Sequence, residues 1–217
     1  MQKSTLRLPF EETWFVLNGG DTKELNHHHG NKAQDYAFDF TILDKAKKSY
    51  KGDGLVNEDY YCFRQRVLAP GKGVVIEVVD GVRDNKPGFG NYLAGAGNYI
   101  LILHQGGEVS FLAHLSTYSL LVKQGDMVVA GQYIGDSGNS GTSFAPHLHY
   151  HLQTDQPLAQ YSLSYEKADT TYGNFPKKGD LIEVASAIKP FFKDTIVDGL
   201  LKRHYSPIRG NLVSNAS

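Results

Sequence analysis

The run Pro146-His147-Leu148-His149 carries the sharpest chemistry in this 217-residue sequence. In an extended strand, residues two apart project from one face, so His147 and His149 can aim both imidazoles at one site while Leu148 packs the other way. Such a pair suits a metal ligand set beside a catalytic base, although an isolated His-x-His is more often a pair of surface or satisfied core histidines. His151 continues the same face and reads as structural. Upstream, Asn26-His27-His28-His29 precedes Tyr36-Ala37-Phe38-Asp39-Phe40. Tyr36, Phe38 and Phe40 alternate onto one face and leave Asp39 on the other, where a carboxylate must be paired, hydrogen-bonded or metal-bound to stay charged. The plainer alternatives are a turn cap at Asp39 and a solvated histidine run. His114, inside Phe111-Leu112-Ala113-His114-Leu115, is an imidazole in an apolar strand that needs a partner if buried. His104 is a similar case.

Composition narrows the chemistry. Nine histidines stand against one cysteine, so a metal here is held by nitrogen and oxygen rather than thiolates. Cys62 has no partner within the chain and reads as a buried, inert thiol. With 22 Lys+Arg against 23 Asp+Glu, the formal net charge of −1 offers no footprint for nucleic acid or an anionic membrane. No stretch approaches the roughly 18 apolar residues of a spanning helix, and the N-terminal residues lack the apolar core of a signal peptide.

The elements that must position these residues read as β structure. Gly73 to Val79, Tyr99 to Leu103, Val109 to Leu115, Tyr133 to Gly135 and His147 to Leu152 are short runs of strand formers bounded by Gly- and Pro-rich turns. Many short strands at close spacing favour an antiparallel sheet closing into a sandwich or barrel-like form. Val122 to Gly138 has the strand, tight turn and strand form of the biotinyl and lipoyl carrier half-motif found in barrel-sandwich hybrid folds, but no lysine stands at its tip. Residues 154–180 are polar and too long for an ordinary connection, which makes them a functional loop or a wrap over the core. Phe191, Phe192, Ile196, Leu200 and Leu201 fall at roughly helical spacing within Ile188 to Tyr205, which predicts a short C-terminal helix. The expected organisation is one domain over 1–217, with a core at about 14–153 and 154–217 as loop and extension packed on it.

Taken in order, Asn26 to Phe40, APGKGVVIEVVDG, GNYILILH, FLAHL and VKQGDMVVAGQYIGDSGNSGTSFAPHLHYHL resemble the lysostaphin-type zinc metallopeptidases. The resemblance runs from Trp14 to about Gln153, and GNSG followed by PHLH is its most specific part. It implies a mainly β fold of the duplicated hybrid motif, a barrel-sandwich hybrid with an antiparallel sheet and long loops. It also implies Zn²⁺ held by Asp39, by His149 and by one histidine of the 27–29 run, with His114 and His147 as catalytic histidines. The common short form of the first motif places a histidine four residues before the aspartate, where this chain has Asp35. The longer-spaced pattern aligns His28 instead, with His29 as the alternative.

Two imidazoles and a carboxylate are a set suited to Zn²⁺, and three protein ligands leave a fourth position for water. The resemblance implies an endopeptidase that hydrolyses peptide bonds in peptidoglycan cross-links or stem peptides with a metal-activated water. Its expected location is periplasmic, secreted or cell-wall associated. Residues 80–98 and 154–180 are the expected walls of the substrate groove, with Tyr92, Tyr99, Tyr161, Tyr165 and Tyr172 as candidate lining. Two other classes are weighed: an inactive relative that binds cell wall or activates another wall hydrolase, and a phosphocarrier on the same scaffold. Loss of a ligand would mark the first, and every ligand position here holds the required residue type. The pairing of Asp39 with PHLH argues against the second.

Overall fold

A computed structural model describes residues 1–154 and 185–216. Thirteen strands lie among them: β1 (Trp14–Asn18), β2 (Phe38–Thr41), β3 (Arg66–Leu68), β4 (Gly73–Val79), β5 (Asn98–His104), β6 (Glu108–Leu115), β7 (Met127–Val128), β8 (Tyr133–Asp136), β9 (Leu148–Thr154), β10 (Ala187–Ile188), β11 (Phe192–Val197), β12 (Leu200–Tyr205) and β13 (Leu212–Asn215). Eleven form one sheet in the order β12-β11-β13-β1-β2-β9-β6-β5-β4-β7, with β10 paired to β9. The pairings recorded between these strands are antiparallel, and β3 and β8 make a separate two-stranded sheet. The fold is mainly β, as expected, and the described strands form no closed barrel. No helix among the described residues is long and apolar enough to cross a membrane.

Alternation divides the sheet into two chemistries. Phe38, Phe40, Leu112, Leu148, Tyr150 and Leu152 enter a core that also takes Trp14, Phe10, Phe192 and Val213. The intervening residues of the same strands, Asp39, His149, His151 and Gln153, are buried polar groups on the other face. Register then joins distant sequence. Asp39 pairs with His149 across β2 and β9, and His149 pairs with Ala113 across β9 and β6.

The C-terminal helix is not found. Phe192–Val197 and Leu200–Tyr205 form a β-hairpin, with Val197 opposite Leu200. Asp198 and Gly199 both take positive φ, 50° and 82°, the backbone that a two-residue hairpin turn of mirror-image type requires. Thr195, Ile196 and Val197 are β-branched and stiff, which suits a pleated strand. Apolar residues at short spacing fit either period, and the Asp-Gly pair decides for the strand.

Candidate metal centre

Asp39 is the hub of the site. Its side chain is 5% exposed, and four imidazoles approach its two oxygens. Oδ1 lies 3.0 Å from His149 Nδ1 and 3.6 Å from His147 Nε2. Oδ2 lies 3.0 Å from His28 Nε2 and 3.8 Å from His27 Nε2, and accepts a 3.0 Å hydrogen bond from Asn18 Nδ2. Burial pushes the Asp39 carboxyl up, but the neighbouring His28, the His149 hydrogen bond and His147 together hold it well below the usual carboxylate range. It is therefore an anion inside the fold.

Each histidine is held by a different device. His149 needs only the strand, since alternation on β9 turns it to the polar face. His28 sits on a turn that Asn26 builds: the Asn26 amide donates to the carbonyls of Gly20, Asp35 and Ala37, and its Oδ1 accepts the His28 N–H at 3.0 Å. His114 is turned by a backbone irregularity. Ala113 faces His149, so simple alternation would send His114 into the apolar core. Between Ile100↔Leu112 and Asn98↔Leu115 the register shifts, with an extra residue on β6, and His114 adopts φ 59°. A bulge of this kind re-aims a side chain. The His114 ring accordingly lies 4.8 Å from His147 and 5.8 Å from His149, centroid to centroid.

The two remaining histidines, neither hydrogen-bonded to Asp39, have their outer nitrogens occupied. His114 Nδ1 is 2.8 Å from the Ser140 carbonyl, and His147 Nδ1 is 2.9 Å from the Ala145 carbonyl. A carbonyl only accepts, so each ring donates from Nδ1 and, when neutral, keeps its Nε2 lone pair for the site. Burial, followed by the nearby His147 and His149, pushes the His114 imidazole well below its usual range. Burial likewise carries His149 down to about 3 and His151 to about 4.

These depressions have a thermodynamic consequence. The unfolded chain takes protons on these histidines near 6.5 while the fold refuses them, so stability is present above that pH and is lost as pH falls toward 3. Metal-free protein should show a melting temperature that drops across that window, each buried histidine contributing on the order of 1 kcal/mol per pH unit. Thermal unfolding in chelator over a pH series reads this directly, and a flat profile would contradict it.

The loop Gly138-Asn139-Ser140-Gly141 supplies the His114 carbonyl partner, and its glycines are forced by close approach. A Cβ at Gly141, where φ is 77°, would stand 2.3 Å from the Gly97 nitrogen. Asp84 ties the same loop to the end of β6, accepting from the Asn139 N–H at 2.7 Å and from the Thr117 N–H at 3.0 Å. Neither Asp84 nor Asn18 carries a signal in the sequence alone, because each acts through partners more than twenty residues away in the chain.

The site residues expected from the sequence converge: His28, Asp39, His114, His147 and His149 surround one point. The 27–29 run is sorted differently from expectation in one respect. His29, the alternative ligand, turns to Asp35 at 2.9 Å, whereas His27 joins His28 and Asp39 in a group whose ligand atoms lie within 4.8 Å of one another. His28→Ala is accordingly expected to weaken metal binding strongly and His29→Ala to leave it nearly unchanged, as metal titration of the two variants would show.

A cleft of about 350 Å³ opens onto the cluster, lined by His27, His28, Gln34, Gly95, Ala96, His114, Thr142 and His149 among others. Segment 80–98 thus contributes Gly95 and Ala96 to its wall. Tyr92 is exposed with its ring 6.1 Å from that of Phe144, while Tyr99 packs on Phe111 and donates to Glu77 Oε1 at 2.5 Å. Segment 155–180, with Tyr161, Tyr165 and Tyr172, lies outside the described residues.

The donor set fits Zn²⁺. A buried carboxylate has an imidazole Nε2 at 3.0 Å from one oxygen and an imidazole Nδ1 at 3.0 Å from the other, and His149 is kept in the neutral form that ligates metal.

An antiparallel sheet that centres a buried carboxylate among imidazoles is an arrangement able to hold a metal ion. Residues 59–160 match Peptidase family M23. That match begins beyond His28 and Asp39. Lysostaphin of Staphylococcus simulans is 43% identical over 118 residues, which is 49% of this chain and 23% of that protein. Peptidoglycan DD-endopeptidase ShyA of Vibrio cholerae is 49% identical over 57 residues, 26% of this chain and 13% of that protein. A zinc-containing peptidase from Vibrio cholerae aligns in structure with a TM-score of 0.46 and 22% identity, over 71% of this chain and 38% of that one. The matched regions are therefore less than a quarter of the length of these two curated relatives.

Proposed function

We propose that this protein is a zinc-dependent endopeptidase that cleaves peptide bonds in peptidoglycan cross-links or stem peptides, with His28, Asp39 and His149 as ligands and His114 and His147 as catalytic residues. The observation that carries the reading is the ionised, buried Asp39 between His28 Nε2 and His149 Nδ1, each at 3.0 Å, with the His114 and His147 rings beside them. Zinc held there would supply Lewis-acid polarisation of the scissile carbonyl and acidify the attacking water.

The chain's own residues divide the remaining work. Asp39 supplies the negative charge of the ligand set, and Asn18 holds its Oδ2 in place. His114, which lines the cleft, and His147, whose Nε2 lies 3.6 Å from Asp39 Oδ1, have Nδ1 engaged by carbonyls and keep Nε2, whose lone pair can take a proton from water and whose imidazolium can donate to an oxyanion or leaving amine. A peptide must lie extended to place its carbonyl between them, and Gly95, Ala96 and Thr142 form part of the wall that such a strand would pass.

Peptidoglycan as substrate is supported by the likeness to a peptidoglycan DD-endopeptidase. An extracytoplasmic site of action, periplasmic or at the cell wall, follows from that substrate. In the same reading residues 1–217 are one peptidase domain, since Phe192, Val197 and Val213 from the C-terminal strands share the core of the central sheet. Incubation with purified peptidoglycan and with pentaglycine, with and without chelator, followed by product mass, tests the proposal. Chelator-sensitive release of peptide fragments is expected. Zinc-loaded protein that leaves both substrates intact would favour the inactive wall-binding relative instead.

A further inference from the structure

His151 and Gln153 lie deeper on β9 than any residue the proposed chemistry uses, yet both are 1% exposed and linked to it. The Gln153 Oε1 atom lies 2.9 Å from His151 Nε2, and His151 Nδ1 lies 2.9 Å from His149 Nε2. His149 Nδ1 in turn faces Asp39 Oδ1 at 3.0 Å. A single strand thus carries three polar side chains, two residues apart, in an unbroken file that ends at the carboxylate.

We propose that His151 and Gln153 are positioning residues that set the tautomer of His149 for zinc. An amide oxygen only accepts, so His151 holds its proton on Nε2 and, as a neutral ring, offers Nδ1 as an acceptor. His149 then donates from Nε2, and its Nδ1 lone pair is left pointing at the Asp39 side, as a ligand must. The Phe111 ring, stacked on His151 at 4.7 Å and 17°, fixes the plane of the middle imidazole. Burial matters because bulk water, which could supply either a donor or an acceptor, does not reach Gln153 to reverse the chain. In the metal-free fold the same 3.0 Å contact is a hydrogen bond that needs the proton on Nδ1, so zinc at that position requires the proton to sit on Nε2, which the His151 acceptor favours.

This inference rests on the zinc site proposed above, and its test is chosen to separate the two. In zinc-loaded protein, ¹⁵N NMR should show the proton on His149 Nε2 with a through-hydrogen-bond nitrogen coupling to His151 Nδ1. A proton on His151 Nδ1 instead would overturn the proposal. Zinc affinity, measured by chelator competition, should fall by roughly 10- to 100-fold in His151→Phe, which keeps the ring stack but has no acceptor. His151→Gln, which restores an acceptor, should recover most of it. Equal loss in both variants, or no loss in His151→Phe, would mean packing alone and sink the relay. Should His151→Phe fail to fold, Gln153→Met carries the same expectation, and unchanged zinc affinity there overturns it. A wild-type chain that binds no zinc would remove the metal site itself, whereas tight wild-type binding with unaffected variants would remove only the relay.

Discussion

Purified His149→Ala protein is expected to hold essentially no zinc, against about one ion per chain in the wild type, and to lose hydrolysis with it. His149 occupies the middle strand of the three that build the centre, opposite Asp39 on one side and Ala113 on the other. Its Nδ1 is the ligand atom nearest Oδ1, and removing it leaves a two-residue set that cannot close around the ion. The substitution also strips the buried Asp39 carboxylate of a hydrogen bond, and leaving a buried charge short of a partner costs about 3–5 kcal/mol in comparable pairs. Elemental analysis after dialysis against a weak chelator measures the metal, and circular dichroism shows whether the sheet persists. A folded His149→Ala protein that retains a full complement of tightly bound zinc would remove His149 from the ligand set.

His114→Ala should do the opposite to the metal and nearly the same to the rate. No carboxylate contact of His114 shorter than 4.0 Å occurs among the described ion pairs, and its Nδ1 is spent on the Ser140 carbonyl, so zinc content should be unchanged. Loss of a positioned general base lowers kcat by about 10²- to 10⁴-fold. The backbone at His114 gives a second reading. A residue other than glycine at φ 59° stores roughly 1–3 kcal/mol of strain, so His114→Gly should lose the rate equally while unfolding at an equal or higher temperature than His114→Ala. If His114→Ala released the ion, the division between ligands and catalytic histidines would be wrong.

Much of this arrangement is legible before any coordinates. The strand periods of β4, β5, β6 and β9 stand in the sequence, because alternating Val, Ile, Leu and Tyr between Gly-rich turns allow few other structures. The spacing His147-x-His149 on such a strand selects one face for both imidazoles. The C-terminal hairpin was readable only from its turn: the apolar residues of 188–205 fit both periods, and Asp198-Gly199 is the local signal that separates them. Asn18 and Asp84 were not readable, since asparagines and aspartates are common residues and only their distant partners mark these as structural.

What the sequence by itself determined is the inventory of groups: a nitrogen and oxygen ligand set, a carboxylate placed in an apolar strand, and two further histidines in the order of a known peptidase family. Tertiary structure decided which of them meet. Asp39 and His149 are 110 residues apart, and their contact depends on the register of β2 against β9, a long-range pairing that no local pattern specifies. His114 reaches the site only because β6 carries an extra residue against β5, which reverses the face that alternation assigns. His27 rather than His29 accompanies His28 because the turn tied down by Asn26 sends one ring inward and the next toward Asp35. Periodicity is a property of neighbouring residues, whereas register, bulges and turn closure are settled by the partners that a strand or loop finds across the fold.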